Sequence, residues 1–90
     1  MQTGVYILQC GNGRYYTGST DNVTRRFSEH ASGLVKSTRN LLPVRLVFFQ
    51  KCQSLTHART LEYKIKKKKS RIYIERLIEN KELNFLATLN

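Results

Sequence analysis

Two strand-like runs joined by a turn sequence are the feature that most constrains the fold. Val5 to Cys10 reads VYILQC and Arg14 to Ser19 reads RYYTGS. Both runs are rich in the β-branched and aromatic residues that favour strands. Between them, Gly11 to Gly13 reads GNG, and an Asn-Gly pair tolerates the positive φ of a tight hairpin turn. The chain is therefore predicted to begin with a β-hairpin.

Side chains alternate along a strand, so Tyr6 is predicted to lie on the face opposite Val5 and Ile7. On the returning strand, Tyr15 and Tyr16 are predicted to lie on opposite faces. Cross-strand packing alone explains tyrosines at these positions, because tyrosine favours strands. Packing leaves one arrangement unexplained, since the tripeptides GVY and YTG each pair a tyrosine with a glycine.

A first helix is predicted after the hairpin, ending at Gly33. Thr20 or Asp21 is expected to cap it. Its hydrophobic residues recur at helical spacing and are expected to form a buried stripe of Val23, Phe27 and Ala31.

A basic loop, Leu34 to Pro43, is predicted to lead to a third strand, Val44 to Cys52, which is mostly apolar and expected to be well covered. Ser54 is expected to cap a second helix and Ser70 to begin a third. Their inward-facing residues are expected to be Leu55, Ala58, Leu61 and Ile65, then Ile74, Leu77 and Ile78. The order β-β-α-β-α-α predicts a small α/β (α+β) fold with a three-stranded, mainly antiparallel sheet flanked by helices.

The length of 90 residues predicts one domain, 1–90, with a core of about 1–80 and a C-terminal extension, 81–90. Leu83, Leu86 and Leu89 in this extension are expected either to continue a helix or to dock back. Cys10 and Cys52 fit no metal spacing and are expected to be reduced, partly buried thiols. With no apparent signal peptide or membrane span, the expected location is the cytoplasm.

The charge is strongly unbalanced, with 16 Lys and Arg against 6 Asp and Glu and a formal net charge of +10. A small domain this basic usually binds a polyanion, and nucleic acid is favoured over anionic lipid because the chain has no tryptophan anchor. A basic run can also be a solvated helix face or a localisation signal. The predicted phosphate contacts are Lys36, Arg39, Lys64, Lys66, Lys67, Lys68, Lys69 and Arg71.

Two helical positions are candidates for chemistry. Arg26 and His30 are four residues apart at the predicted edge of the first helix's buried stripe, whereas Arg25 is predicted to point roughly opposite. A surface basic pair without a role is the simpler interpretation. Glu62 lies beside the stripe of the second helix, where it either pairs with Lys66 or offers a carboxylate to a hard divalent cation.

Together these features resemble the GIY-YIG nuclease superfamily. GVY at Gly4 to Tyr6 and YTG at Tyr16 to Gly18 resemble the two signature tripeptides. VTRRFSEH resembles the helix that carries the family's arginine, and ARTLEYKIKK resembles the helix that carries its glutamate. The likeness spans about residues 1–80 and is closest to small stand-alone bacterial members, many described only as endonucleases by similarity. Many members also have a late asparagine, for which Asn80 and Asn84 are candidates.

The resemblance implies an endonuclease that hydrolyses phosphodiester bonds in DNA with one divalent ion, Mg²⁺ or Mn²⁺, and no obligate protein partner. It implies that Glu62 binds the metal and Arg26 holds the phosphate. Tyr6 and Tyr16 would assist the attacking water, with help from His30 or from waters of the metal. The glycines would let the backbone pass closely at the ends of the hairpin.

Two alternatives remain open from the sequence. The chain is either a nuclease or a nucleic-acid-binding module that has lost catalysis, and the substrate of a nuclease is either duplex DNA or RNA or single strands. Only catalysis explains why the tyrosines, arginine, histidine and glutamate all occur at family spacing. A basic structural protein with an acidic partner would explain the charge but not these motifs.

Overall fold

The computed structural model describes residues 2–80 and contains the three strands and three helices in the predicted order. The strands are β1 (Gly4–Gln9), β2 (Tyr15–Thr20) and β3 (Arg45–Lys51). The helices are α1 (Val23–Ala31), α2 (Leu55–Lys68) and α3 (Arg71–Asn80), with a short 3₁₀ turn at Arg39–Leu41 before β3.

The sheet is antiparallel throughout and has the order β2-β1-β3. The hairpin predicted at the start of the chain is present, and its turn is closed by a hydrogen bond from the Cys10 amide to the Arg14 carbonyl, 2.8 Å. The central strand, β1, is buried along almost its whole length. Side chains of β1 therefore form the interior on both faces of the sheet.

The helices cover opposite faces of this sheet. On one face, Val5 and Ile7 of β1 pack with Ile65 of α2 and Leu77 of α3. On the other face, Tyr6 and Leu8 pack with residues of α1. Tyr15 and Tyr16 also divide between the faces, as the alternation predicts. The fold therefore sends Tyr6 and Tyr16 toward α1 and leaves α2 on the far side, beside the edge of β2.

The prediction that β3 is well covered is wrong. Within residues 2–80 it is an edge strand that pairs with β1 alone, and of its seven residues only Phe48 is buried. Leu46 is 41 % exposed. An apolar strand resembles a central one in sequence, but here β1 occupies the centre because it pairs on both sides.

The predicted start and buried stripe of α1 need correction. Asn22, not Thr20 or Asp21, caps the helix, because β2 continues through Thr20 and the Asn22 side chain accepts a hydrogen bond from the Arg25 amide. In the stripe, His30 takes the buried place predicted for Ala31. The side of α1 that faces the sheet carries Val23, Phe27 and His30. Both nitrogens of the His30 ring form hydrogen bonds there.

The caps of α2 and α3 and the cysteines agree with the sequence-based expectations. Ser54 and Ser70 cap α2 and α3 as predicted, and both cysteines are free and buried. Within residues 2–80, no helix is both long enough and apolar enough to cross a membrane. The predictions for Leu83, Asn84, Leu86 and Leu89 lie outside the described residues.

Candidate active site

Tyr6 is held by a buried histidine. Its hydroxyl lies 2.9 Å from Nε2 of His30, and Tyr6 is 2 % and His30 0 % exposed. The second ring nitrogen, Nδ1, lies 2.8 Å from Oγ1 of Thr38, which is also fully buried. A neutral imidazole has one donor and one acceptor nitrogen. When Tyr6 donates to Nε2, the proton of His30 lies on Nδ1 and is donated to Thr38.

Both Tyr6 and His30 are neutral at neutral pH. Burial, and secondly the positive charge of Arg26, lower the pKa of His30 to about 4, although Glu29 opposes this. Burial raises the pKa of Tyr6, while Arg26, whose guanidinium faces the hydroxyl, partly opposes the rise. The pair is therefore a neutral phenol hydrogen-bonded to a neutral imidazole.

Tyr16 completes an aromatic cluster with Tyr6 and His30. The ring centroids of Tyr16 and His30 are 5.0 Å apart and those of Tyr6 and His30 are 5.6 Å apart, both in edge-on geometry. Edge-on packing is favourable for aromatic rings. Tyr16 is half-buried while the other two are buried, so the cluster is accessible from the side of Tyr16.

The glycines of the two tripeptides make room for this arrangement. A Cβ at Gly18 would lie 2.5 Å from the Tyr6 hydroxyl oxygen, and one at Gly4 would lie 2.1 Å from the Gln50 carbonyl oxygen of β3. Gly18 is also the residue directly opposite Tyr6 across the hairpin. Gly18 is therefore needed because the ring of Tyr6 lies over it, and Gly4 because the backbone of β3 passes close to it.

Arg26 stands at the rim of the cluster. Its guanidinium donates to Glu29, 2.9 Å, and faces the Tyr6 hydroxyl, and these two contacts raise its pKa. Arg25 does not point away as predicted. It lines the same surface cavity as Arg26, because its guanidinium turns back to bond Asp21, 2.8 Å. Arg25 is nevertheless more exposed, 55 % against 35 % of the side chain.

Glu62 lies across the edge of β2 from this cluster. One carboxylate oxygen, Oε1, accepts a hydrogen bond from the Ser19 hydroxyl, 2.5 Å, and the other, Oε2, is 2.5 Å from the ammonium of Lys66. The predicted ion pair with Lys66 is therefore present. The carboxylate is also close enough to contribute to the raised pKa of Tyr6.

A magnesium or manganese ion would find one carboxylate here. Within residues 2–80 there is no group of three His, Cys, Asp or Glu side chains arranged to hold a metal. Mg²⁺ in phosphoryl-transfer sites usually keeps several waters and takes one or two carboxylates together with substrate phosphates. Glu62, half-buried and with its orientation fixed by Ser19, fits that mode of binding.

Comparison with known proteins shows where this arrangement belongs. The sequence model of the GIY-YIG catalytic domain matches residues 2–81, nearly the whole chain. The chain belongs to the GIY-YIG family. It is 39 % identical over 84 residues to a UPF0213 protein of Streptococcus pneumoniae, covering 92 % of this chain and 85 % of the relative. It is 34 % identical to UPF0213 protein CPE1444 of Clostridium perfringens, covering 93 % and 82 %.

The fold agrees with a solved member of the same group. The solution NMR structure of the UPF0213 protein BH0048 from Bacillus halodurans superposes with a TM-score of 0.57 at 41 % identity, covering 94 % of this chain and 90 % of that chain. The likeness read from the two tripeptides and the two helices is thereby confirmed. GIY-YIG domains are in general nuclease domains, so the chain has a nuclease-type fold.

In this GIY-YIG domain, the structure gathers the four predicted catalytic residues on the α1 side of the sheet and Glu62 at the β2 edge. His30 is not at the border of core and solvent as predicted but fully buried, since its ring replaces a core side chain. Asn80 is exposed at the end of α3 and donates to its own helix, to the Arg76 carbonyl.

The predicted phosphate-binding residues of this GIY-YIG domain are all exposed, and they lie on two separate segments of the chain. Lys36 and Arg39 lie in the segment between α1 and β3. The others lie along α2 and at its junction with α3: Lys64, Lys66, Lys67, Lys68, Lys69 and Arg71.

Three polar residues of the site escaped the sequence analysis. Thr38 looked like part of an unstructured basic loop, and Ser19 only like the end of a strand. Arg59 lies three residues before Glu62 on α2 and lines the cavity that holds Arg26. A short-range signal existed only for Arg59, because residues three apart on a helix share a face.

Because His30 is buried without charge in the folded protein, the protein should be less stable in mild acid. Unfolded histidine binds a proton near pH 6.5, whereas folded His30 does so only at about 4, so the unfolded state binds more protons between these values. We expect the free energy of unfolding to fall as the pH drops through this window and to be insensitive to His30 above it. Urea unfolding across the window, with His30→Gln as comparison, checks this. An unchanged pH dependence in the variant would contradict a neutral His30.

Proposed function

We propose that the protein is a metal-dependent endonuclease that hydrolyses phosphodiester bonds in DNA. The observation that carries the proposal is the buried hydrogen bond between the Tyr6 hydroxyl and His30, with Arg26 close enough to lower the pKa of both groups. A phenol in a purely structural core needs one partner. Here the buried phenol bonds an imidazole and also has a guanidinium nearby, and that guanidinium belongs to Arg26, whose side chain is 35 % exposed.

Tyr6 would receive the proton of the attacking water through a relay. A tyrosine with a raised pKa is a poor base when it must first ionise. It can instead accept the proton on its oxygen while passing its own to Nε2 of His30, 2.9 Å away. The new bond forms between the water oxygen and phosphorus, and the bond to the departing sugar oxygen breaks.

His30 can accept that proton only when its surroundings change. Arg26 is the second cause of its lowered pKa, after burial. A phosphate bound by Arg26 would offset the positive charge of the guanidinium, so substrate binding would raise the pKa of His30. Thr38 would hold the ring with its proton on Nδ1 and leave Nε2 free to accept. The relay would therefore be active mainly when substrate is in place.

Arg26 and Glu62 would handle the phosphate. The guanidinium presents a fork of donors to two phosphate oxygens and stabilises the charge that develops there. Glu62 would hold the divalent cation, which as a Lewis acid would polarise the phosphate and neutralise the departing oxygen. Tyr16, beside both rings, would bond the water or phosphate.

One observation favours the alternative, a module that binds nucleic acid without cutting it. Lys66 occupies Oε2 of Glu62, so the lysine must release this oxygen before a cation can use both. The pair is partly exposed, with the Lys66 side chain 53 % exposed, and such pairs are worth only about 0–1 kcal/mol. Lys66 can therefore leave Glu62 at small cost.

Cleavage should depend on a divalent cation. We expect labelled DNA to be cut with Mg²⁺ or Mn²⁺ and left intact with EDTA, because Glu62 needs the ion to act on the phosphate. The measurement compares single-stranded, duplex and branched DNA, with the corresponding RNA, on denaturing gels. If DNA is retarded in native gels but is not cut with either Mg²⁺ or Mn²⁺, the result would support the binding module instead.

A further inference from the structure

We propose that α2 and the edge of β2 form a track for one sugar-phosphate strand of nucleic acid, running past Glu62 with Arg59 on one side and Lys69 on the other. The choice of ligand rests on the proposed function. The track adds to the proposed function the path of the strand. It also distinguishes the lysines that contact the strand from those that do not.

The track follows one side of α2, here called the inner stripe, which consists of Arg59, Glu62, Lys66 and Lys69. Positions 59, 62 and 66 are three and four residues apart and therefore lie on the same side of the helix. Lys69 caps the C-terminus of α2 in the left-handed conformation, with φ 48°. The inner stripe faces β2, because Ser19 of β2 donates to Glu62.

Two surface cavities lie along the inner stripe. The Arg59 cavity, about 230 Å³, is lined by Arg59 of α2, Ser19 of β2 and Arg26 of α1, among others. The Lys69 cavity, about 450 Å³, lies between the start of β2 and the junction of α2 and α3. Ser19 and Lys66, the two partners of Glu62, line the first and second cavity respectively. Glu62 therefore bonds one lining residue of each cavity and lies between them.

Each cavity is lined by a basic side chain that forms no ion pair with an acidic residue within residues 2–80. In the Arg59 cavity, Arg25 and Arg26 are paired with Asp21 and Glu29, whereas Arg59 makes no ion pair within residues 2–80. In the Lys69 cavity, Lys69 and Arg14 likewise make no ion pair within that range. Unpaired cations on both sides of a carboxylate suit successive phosphates of one strand, with the reacting phosphate between them.

The lining of the Lys69 cavity suits a nucleotide better than a free phosphate. Ile65 and Ile74 contribute apolar surface to its walls. Arg71 lies with its guanidinium 4.7 Å from the centre of the Tyr15 ring and donates to the Gly13 carbonyl, 3.0 Å, so it is held at the rim. Apolar walls accept a sugar or base, while Lys69 offers charge to the backbone.

The remaining lysines of the basic run point elsewhere. Lys67 lies over the ring of Tyr63, 5.9 Å from its centre, and Lys68 over that of Tyr73, 5.4 Å. Lys64 lies five residues after Arg59, about 140° around the helix. None of these three lines either cavity. The lysines of the basic run therefore divide into two groups. Lys66 and Lys69 belong to the inner stripe, and Lys64, Lys67 and Lys68 form an outer set.

The length of the track sets the size of its ligand. Ten residues separate Arg59 from Lys69, which corresponds to roughly 15 Å along the helix. With a rise of about 3.4 Å per nucleotide in a B-form strand, this distance covers about four nucleotides. A single strand of twelve nucleotides is therefore long enough to touch both cavities.

Paired substitutions on the two sides of α2 test the track. The inner pair is Arg59→Ala with Lys69→Ala, and the outer pair is Lys64→Ala with Lys67→Ala. Each changes the formal net charge from +10 to +8 at exposed positions. Binding of a fluorescent single-stranded DNA of twelve nucleotides is measured by anisotropy in EDTA, so that cleavage plays no part, at several salt concentrations.

The inner pair should weaken binding roughly tenfold and lower the salt slope by about 1.4, the value for two lost phosphate contacts on a single strand. The outer pair should change both only slightly. Equal weakening by the two pairs, or no binding by the parent, would overturn the track. If the parent binds through the inner stripe but cuts nothing with Mg²⁺, the track stands and the nuclease proposal fails.

Discussion

Replacement of Arg26 by alanine is expected to slow cleavage by roughly a hundredfold or more, by analogy with the loss of one oxyanion-hole donor. Arg26 faces the Tyr6 hydroxyl from the rim of the aromatic cluster. A phosphate in reach of Tyr6 therefore meets this guanidinium first. Its loss removes charge stabilisation that grows toward the transition state, so the rate at saturation should fall more than the affinity.

Arg25→Ala is the matched control for this experiment. Arg25 is adjacent on α1, lines the same cavity and carries the same charge, but its guanidinium is bonded to Asp21. We expect weaker binding and a salt slope lower by about one contact, with the rate at saturation little changed. The measurement is single-turnover cleavage at saturating protein, with a salt titration for each variant. Loss of turnover in Arg25→Ala alone would mean that the two arginines have been assigned the wrong way round.

Glu62→Gln is expected to abolish metal-dependent cleavage, a loss on the order of a thousandfold if the cation contributes several kcal/mol. The amide keeps an oxygen that can accept the Ser19 hydrogen bond, so the side chain should stay in place. It loses the negative charge that would hold the cation. Stability should change little, since the ion pair with Lys66 is partly exposed.

Glu75→Gln provides the corresponding control, because Glu75 also forms an i,i+4 ion pair, with Arg71 on α3, away from the aromatic cluster. Both variants remove one negative charge, so DNA binding in EDTA should be equal or slightly tighter in each. Cleavage is followed over a Mg²⁺ titration. If Glu62→Gln cuts DNA like the parent while Glu75→Gln also does, Glu62 is only the ion-pair partner of Lys66.

The amino-acid sequence by itself determined the local structure. The Asn-Gly turn between alternating runs specifies the hairpin, because few residues accept its backbone geometry. Serine caps and 3.6-residue spacing specify α2 and α3. The order of these motifs also carried the resemblance to the family, which the match over residues 2–81 confirms.

The sequence was less informative where neighbours in space decide the outcome. That β3 lies at the edge follows from the two-sided pairing of β1, which no property of the β3 residues reveals. His30 is buried and Ala31 exposed because α1 rotates to bond its histidine to Tyr6. A stripe drawn from hydrophobicity alone favours the alanine.

Only the tertiary structure showed how the site is assembled. Thr38 lies eight residues from His30 and Ser19 lies 43 from Glu62, and in neither pair do the two residues belong to the same helix or strand. The six basic residues near the end of α2 look uniform in sequence, yet the helix turns Lys66 and Lys69 toward β2 and leaves Lys64, Lys67 and Lys68 outside. Composition predicts that the partner is a polyanion. The packing of the helices against the sheet decides which basic side chains can contact it.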